Sequence, residues 1–225
     1  MHIEPGLVTG AKLAVGYATA VTAGGYTLKL AAETIREKGL ASLAVRSLIA
    51  AACVFTFFQI LPHYPVGVSE VHFILGSTLF LILGAAPAAF GLTAGLLVQG
   101  LFFAPFDLPQ FGMNITTLLV PLFAVKALAD RIIPAHRPYV DLDYGQTLAL
   151  STAYQGGVVA WVAFWAFLGQ GFGAASVASV ATFGSAYMLV VLIEPLTDLA
   201  VLAAAKAARG RMPAGLFTPR LHQAA

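Results

Sequence analysis

The second residue of the chain is a histidine, and its position could create a metal chelate. The Met1 amine, the amide nitrogen of His2 and the Nδ1 atom of His2 can close two fused rings around one ion. Three nitrogens in one plane suit Cu(II), Ni(II) or low-spin Co(II), which favour tetragonal nitrogen fields. On position alone, a polar chain end without a ligand is the simpler interpretation.

His72 is a candidate for the fourth nitrogen. It lies in segment 69–73, at the predicted outer end of the third helix and on the same side as the N-terminus. A neutral imidazole there could complete the square, although a lone histidine at a helix end is more often an interfacial or packing residue. His2 and His72 together favour a metal site. The other histidines are interpreted as water-interface or ordinary loop residues: His63, His136 and His222.

Three further polar residues could support such a site. The Asn114 amide could hydrogen-bond a ligating imidazole or the N-terminal loop, and capping the fifth helix is almost equally favoured. Glu70 and Glu4 flank the two histidines and could orient them. For these two carboxylates, water-facing loop charges are the simpler explanation.

The last predicted helix contains two carboxylates, Glu194 and Asp198. Intramembrane carboxylates are costly and usually functional. Their position in the inner half makes them poor ligands for an outer site, so Glu194 is predicted to be a structural or gating residue, paired with Arg46 or Lys29. Gln155 is predicted to make an interhelical hydrogen bond.

Composition identifies the chain as an integral membrane protein. Of its 225 residues, 59% are hydrophobic and 10% are charged, against about 25% charged in soluble domains. The single cysteine, Cys53, excludes a disulfide scaffold. A net charge of +2 without a basic stripe argues against nucleic-acid binding. Because there is no phosphate-binding glycine loop, any ATP-driven work is expected in a partner.

The apolar runs predict an all-α bundle of about seven transmembrane helices. The chain is interpreted as one domain, 1–225, with an N-terminal metal-binding loop at 1–8 and a basic cytoplasmic tail at 206–225. The third and fourth helices could form a tight hairpin or one interrupted element, and the seventh could be a span followed by an amphipathic helix. The predicted helices are 9–32, 40–61, 71–84, 86–103, 115–133, 146–168 and 175–205.

The distribution of Lys and Arg predicts the orientation of the bundle. Segments 62–70, 104–114 and 169–174 contain neither residue. Of the 12 basic residues, only Lys12 falls on that side. The N-terminus is therefore predicted to lie outside and the C-terminus in the cytoplasm.

The chain resembles the CbiM/NikM family, the metal-binding S components of energy-coupling-factor (ECF) transporters for cobalt and nickel. The resemblance rests on the opening MHIEPG and on VHFILGSTL at 71–79, which is similar to the family's VHHLLGPTLL-type segment. QGLFF at 99–103, the loop 108–114 ending in Asn114, and Glu194 with Thr197 add to it. The chain departs from the family pattern at three places: Phe73, Ser77 and the loop 104–107.

The resemblance implies a function and a set of partners. The ligands would be the Met1 amine, the His2 amide and imidazole, and His72; the cargo would be Co(II) or Ni(II), with no permanently bound cofactor. The partners would be a transmembrane coupling (T) subunit, two ATPases and an accessory small membrane subunit in some systems, all in the inner membrane of a prokaryote. Small residues on the first helix, Gly16, Ala20 and Gly24, serve either docking to the coupling subunit or packing within the chain.

Three alternatives stay open. An S component for a small uncharged vitamin would not need Met1 or His2. A structural membrane subunit would leave the arrangement of His2 and His72 to chance. An intramembrane enzyme using Glu194 and Asp198 lacks an accompanying nucleophile or metal-ligand motif.

Overall fold

The computed structural model describes residues 3–211 and 215–223, so the predicted ligands Met1 and His2 lie outside the described residues. The described part of the chain is mostly helical, and within it four helical stretches are long and apolar enough to cross a membrane: Gly10–Ile60, Ala85–Phe102, Pro105–Ile132 and Ala174–Ala207. It is therefore a multi-pass membrane protein. The α-helices are α1 Leu13–Phe55, α2 Gly76–Leu83, α3 Ala85–Phe102, α4 Phe111–Ile132, α5 Tyr144–Gln170, α6 Ala174–Met188 and α7 Glu194–Ala207.

Helix α1 contains a break at Gly39. Its 43 residues would extend about 65 Å as a straight helix, twice the thickness of the hydrocarbon core. Gly39 has φ 82° and ψ 165°, a left-handed conformation that glycine adopts without steric cost. The break divides α1 into two arms, which cover the first two predicted helices. The second arm continues as a π turn, Thr56–Ile60.

The predicted third helix is wrong at its N-terminal end. Residues 71–75 are not helical: a short antiparallel hairpin pairs β1, Tyr64–Val66, with β2, Ser69–Val71, and α2 begins only at Gly76. Leu75, immediately before α2, has φ 54° and ψ 40°. A bulky residue in this region costs of order 1–3 kcal/mol, so the surrounding packing holds the turn from strand to helix.

Helices α2 and α3 form the tight hairpin that was one of the two sequence alternatives. They are separated only by Gly84, with φ 90° and ψ 164°. Near the C-terminal end of α2, the Ile82 carbonyl accepts a hydrogen bond from the Thr218 amide. At the far end of α3, Gln99 Nε2 donates to the Phe58 carbonyl at 3.3 Å. The chain therefore reverses at Gly84 and returns toward the end of the bundle that contains His72, called here the His72 end.

The predicted seventh helix is interrupted. Helix α6 ends at Met188, a 3-10 turn spans Leu189–Leu192, and α7 begins at Glu194 with Pro195 in its first turn. Proline is well tolerated there because the first turn of a helix has no intrahelical partner for its N–H groups. The interruption places Glu194 at a helix N-terminus, where the helix dipole favours a carboxylate.

The C-terminal segment packs on the opposite end of the bundle, called here the basic end. Arg220 donates to the Ile133 carbonyl at 3.0 Å and lies 5.2 Å from the centre of the Tyr139 ring. The pKa of Tyr139 is raised to about 12, and burial is the largest of the several causes. A cavity of about 510 Å³ opens at this end, and both acidic and basic side chains line it.

Close packing of glycines joins α1 to its neighbours. Gly16 and Gly112 bring α1 and α4 into backbone contact, since a Cβ on Gly112 would lie 2.8 Å from the Gly16 carbonyl oxygen. Gly91 of α3 approaches Ala50 in the same way. Nothing lies within 4 Å of a Cβ placed on Gly24. Among the small residues of α1, Gly16 therefore serves packing within the chain. No atom packs against α1 at Gly24 at that distance.

Replacing Gly91 with alanine is expected to destabilise the bundle. The new Cβ would lie 2.2 Å from the Ala50 Cβ and 2.7 Å from its carbonyl carbon, so α1 and α3 must separate. Overpacking of this kind costs about 1–3 kcal/mol, measured as a lower thermal unfolding midpoint in detergent. Gly24→Ala is the matched control, and equal losses in the two variants would contradict the packing argument.

Candidate metal-binding site

The N-terminal segment, residues 3–8, is held in the His72 end by backbone contacts. Ile3 is fully buried and forms an antiparallel bridge with Ser69, and the Glu4 amide donates to the Val68 carbonyl at 3.3 Å. A Cβ on Gly169 would lie 2.0 Å from the Leu7 carbonyl oxygen. The segment therefore lies between the hairpin and the end of α5.

Asn114 anchors this segment from α4. Its side chain is buried, and its Oδ1 accepts a hydrogen bond from the Ile3 amide at 2.9 Å. Asn114 lies in the first turn of α4, but the cap position belongs to Gln110, which makes no side-chain cap. Of the two roles predicted for Asn114, the structure thus shows the hydrogen bond to the N-terminal loop and excludes the cap.

The β1–β2 hairpin positions His72. Gly67 has φ +64°, and a two-residue loop with glycine first is typical of a type II′ turn, which matches the twist of a hairpin. A Cβ on Gly67 would lie 2.3 Å from the Ser179 carbonyl oxygen, so the turn packs closely on α6. His72 follows β2 directly and is 1% exposed. It lies before α2 and not inside a helix, which corrects its predicted placement.

Glu70 contacts the His72 imidazole. The Nε2 atom of His72 lies 2.8 Å from the Glu70 carboxylate. A carboxylate can only accept, so a neutral imidazole in this contact carries its proton on Nε2 and its lone pair on Nδ1. Carboxylate contacts of this kind fix the tautomer and orientation of ligating histidines in metal sites. Among the contacts of the described residues, Glu4 has no side-chain contact with His72 like that of Glu70.

His63 lies against His72, which the sequence did not predict. The ring centres are 5.0 Å apart and the planes differ by 9°, while the Phe58 ring lies 5.1 Å away on another side. His63 is half-buried, and its place at the water interface stays a prediction. The register Tyr64↔Val71 explains the contact, because one step further along the hairpin places residue 63 opposite residue 72.

Within residues 3–211 and 215–223, no group of three or more His, Cys, Asp or Glu side chains could hold a metal ion. The described residues bring His72, Glu70, His63 and Asn114 together with the start of the N-terminal segment. The three nitrogens predicted on Met1 and His2 lie outside those residues. A complete ligand set at this end would therefore have to draw on the first two residues.

Glu194 lies elsewhere, between α2, α5 and α7. It is fully buried and accepts hydrogen bonds from Ser151 at 2.8 Å, Ser77 at 3.3 Å and Gln155. Its predicted partner Arg46 instead donates to the Leu83 carbonyl at 2.8 Å. The predicted pairing of Glu194 with Arg46 is therefore wrong, because the helix end at Gly84 supplies the arginine with acceptors.

Lys29, the other predicted partner of Glu194, also lies elsewhere. Its amino group is 5.9 Å from the centre of the Tyr26 ring. The interhelical hydrogen bond predicted for Gln155 is confirmed, with Glu194 as the acceptor.

Comparison with known proteins identifies the family. A family model described as the cobalt uptake substrate-specific transmembrane region, CbiM, matches residues 2–212. The chain belongs to the CbiM family. No curated protein sequence matches it. A crystal structure of a truncated transition metal transporter has a TM-score of 0.69 at 19% identity and covers 92% of this chain and 99% of its own.

A second crystal structure of a transition metal transporter has a TM-score of 0.68, also at 19% identity, over 92% of this chain and 93% of its own. At this identity the two structures establish the transporter fold. Since both structures and the CbiM family are transporters, the intramembrane-enzyme alternative is disfavoured.

Replacing Asn114 with alanine is expected to loosen the N-terminal segment. The Ile3 amide would stay buried without its acceptor, which costs about 1–3 kcal/mol. Deuterium exchange at the amides of residues 3–8 should accelerate by about tenfold or more, as measured by mass spectrometry. Thr117→Ala removes a neighbouring buried hydroxyl that bonds only within α4 and should leave exchange unchanged.

Proposed function

We propose that the chain is the substrate-binding membrane subunit of an ECF-type importer that captures Co(II) or Ni(II) from outside the cell. The observation that carries this proposal is the antiparallel bridge between Ile3 and Ser69. The bridge places Ile3, the residue that directly follows the two predicted ligands in the chain, beside the strand that leads to His72. The CbiM match over residues 2–212 supports the cargo class.

The proposed site consists of four nitrogens. The Met1 amine, the His2 amide and the His2 Nδ1 supply three of them, and His72 Nδ1 supplies the fourth while Glu70 holds Nε2. A planar nitrogen set favours Ni(II) and low-spin Co(II) over ions that prefer tetrahedral sites. Amide deprotonation is costly, and mainly such ions drive it. The stacked ring of His63 and the ring of Phe58 shield the site from water.

Capture and release follow from the same contacts. The N-terminal segment contributes its donors only while its hydrogen bonds to Val68 and Asn114 hold it in place. Release requires this segment to move away from His72. Energy would come from two ATPases acting through a coupling (T) subunit, with a small accessory membrane subunit in some systems. The basic end would face the cytoplasm of a prokaryote, across its inner membrane.

Extending the N-terminus is expected to abolish tight metal binding. Two extra residues before Met1 convert the terminal amine into an amide and remove the chelate ring that contains it, and His72→Ala removes the fourth nitrogen. Both changes should eliminate the planar-nitrogen absorption band of Ni(II) and weaken binding by more than the roughly 10–100-fold of a supporting-residue change. His136→Ala, at an exposed histidine, is the control. If all forms bound the metal equally weakly, the family match would support only the fold. A role as a vitamin-binding or structural subunit would then be favoured.

Glu70→Ala is expected to weaken metal binding without eliminating it. Loss of the carboxylate frees the His72 ring to rotate and change tautomer, and such changes reduce affinity by about 10–100-fold. Titration calorimetry with Ni(II) and Co(II) measures the effect. Glu4→Ala is the control, because Glu4 lies two residues from His2 in the sequence, just as Glu70 lies two residues from His72. Indistinguishable affinities for the two variants would show that Glu70 does not orient the ligand.

A further inference from the structure

A cluster of buried polar side chains begins in the first turn of α2, and the proposed metal capture does not use it. It joins α2, α5 and α7, and its members, called here the acid cluster, are Ser77, Thr78, Ser151, Gln155, Glu194 and Asp198. Glu194, Ser77, Ser151 and Gln155 are fully buried, and Asp198 is 1% exposed. The cluster lies inside the bundle with two carboxylates.

No Lys or Arg of the described residues forms an ion pair with either carboxylate; the ion pairs lie elsewhere, as at Lys126–Asp130 and Lys206–Asp141. Glu194 and Asp198 share the hydroxyl of Ser77, so their charges would be close together. Two ionised carboxylates at such a distance disfavour each other, and burial increases the cost. The cluster therefore needs a positive charge that no described side chain supplies.

A count of hydrogen-bond donors indicates where that charge lies. The Ser77 hydroxyl contacts Glu194 Oε1 at 3.3 Å and Asp198 Oδ2 at 2.8 Å, but a hydroxyl carries one proton. Thr78 donates to the other oxygen of Asp198. With Ser77 donating to its nearer acceptor, Asp198, the contact with Glu194 requires a proton on the Glu194 carboxyl.

Gln155 adds an independent indication. Its Nε2 contacts Glu194, yet its Oε1 is fully buried and has no hydrogen-bond partner in the described part of the chain. An unmet acceptor beside a carboxylate is what an added proton can satisfy. Rotation of the Gln155 amide would let Oε1 accept from a protonated Glu194, because the two amide orientations are interchangeable in shape.

We propose that the acid cluster is a buried proton-binding site in which Glu194 carries the exchangeable proton. Compared with the hydrogen bonds of an ionised Glu194, the direction of the Ser77 contact is reversed: Glu194 donates its proton from Oε1 to Ser77 Oγ, and Ser77 donates its own to the ionised Asp198. Gln155 Oε1 is the alternative acceptor when the proton is on the other oxygen, Oε2. A proton needs no cavity, unlike a metal ion. The other titratable groups near Glu194 are the buried hydroxyls of Tyr154 from α5 and Tyr187 from α6.

The bound proton fastens α7 to α2. When it leaves, two negative charges share one serine hydroxyl, and their repulsion favours separation of the two helices. Helix α2 begins four residues after His72, so the same separation would pull on the metal site; this consequence alone rests on the proposed function. The proton site itself can be tested without any metal.

Infrared spectroscopy of the purified wild-type protein tests the site directly. Glutamate labelled with ¹³C at its side-chain carboxyl shifts the stretching band of a protonated Glu away from that of Asp. We expect one protonated-Glu band at neutral pH, which disappears reversibly on alkaline titration and is absent in Glu194→Gln. Asp130→Asn, at a surface carboxylate, should keep the band. Absence of the band in the wild type would overturn the proposal.

Thermal unfolding as a function of pH provides a second test. A proton bound only in the folded state makes stability fall as pH rises, until the proton is lost. Glu194→Gln should remove this slope, because its amide donates to Ser77 as a protonated Glu does. Asp198→Asn should lower the unfolding midpoint at every pH, since its NH₂ group replaces the oxygen that accepts from either Ser77 or Thr78 and places a donor against that hydroxyl. If sodium chloride stabilised the wild type and choline chloride did not, the acid cluster would be a sodium site, and the proton proposal would be overturned.

Discussion

In hydrocarbon, a backbone N–H or C=O that leaves a helix must find a partner inside the protein, and this constraint organises the bundle. Where α2 ends at Gly84, Arg46 reaches the Leu83 carbonyl. Where α1 widens into a π turn, Gln99 reaches the Phe58 carbonyl. Where α6 gives way to α7, Thr197 reaches Ile193. Because unsatisfied groups cost several kcal/mol in lipid, the first two interruptions are each tied to a buried polar side chain, and at the third the Ile193 carbonyl also accepts from the Leu196 and Thr197 amides.

The same constraint explains why the N-terminal segment can be irregular and still ordered. Residues 3–8 are not helical, yet the Ile3 amide is paired with Asn114 and the Glu4 amide with the Val68 carbonyl. Lys12 adds bonds to the last carbonyls of α5, Leu168 and Gly169. The segment is therefore packed as part of the bundle, and the metal site proposed on it would share that rigidity.

The sequence predicted what depends on local composition and missed what depends on distant contacts. Hydropathy located the apolar helices and the break near Gly39, and a hydrogen bond from Asn114 to the N-terminal loop was one of the roles that its residue type predicted. The segment 71–75 is apolar enough for either a helix or a strand, and its extended form depends on docking of Gly67 against α6. Glu194 was recognised as buried, but its partner Ser77 lies 117 residues away in the chain.

The hairpin makes loop length a determinant of how the rings of His63 and His72 meet. Side chains alternate between its two faces, so a slip of one residue moves every side chain to the opposite face. A single-residue insertion between His63 and His72 would therefore turn one of the two rings away from the other, whereas a two-residue insertion would keep them together. Natural variants of this loop should keep Gly67 and change length only in even steps.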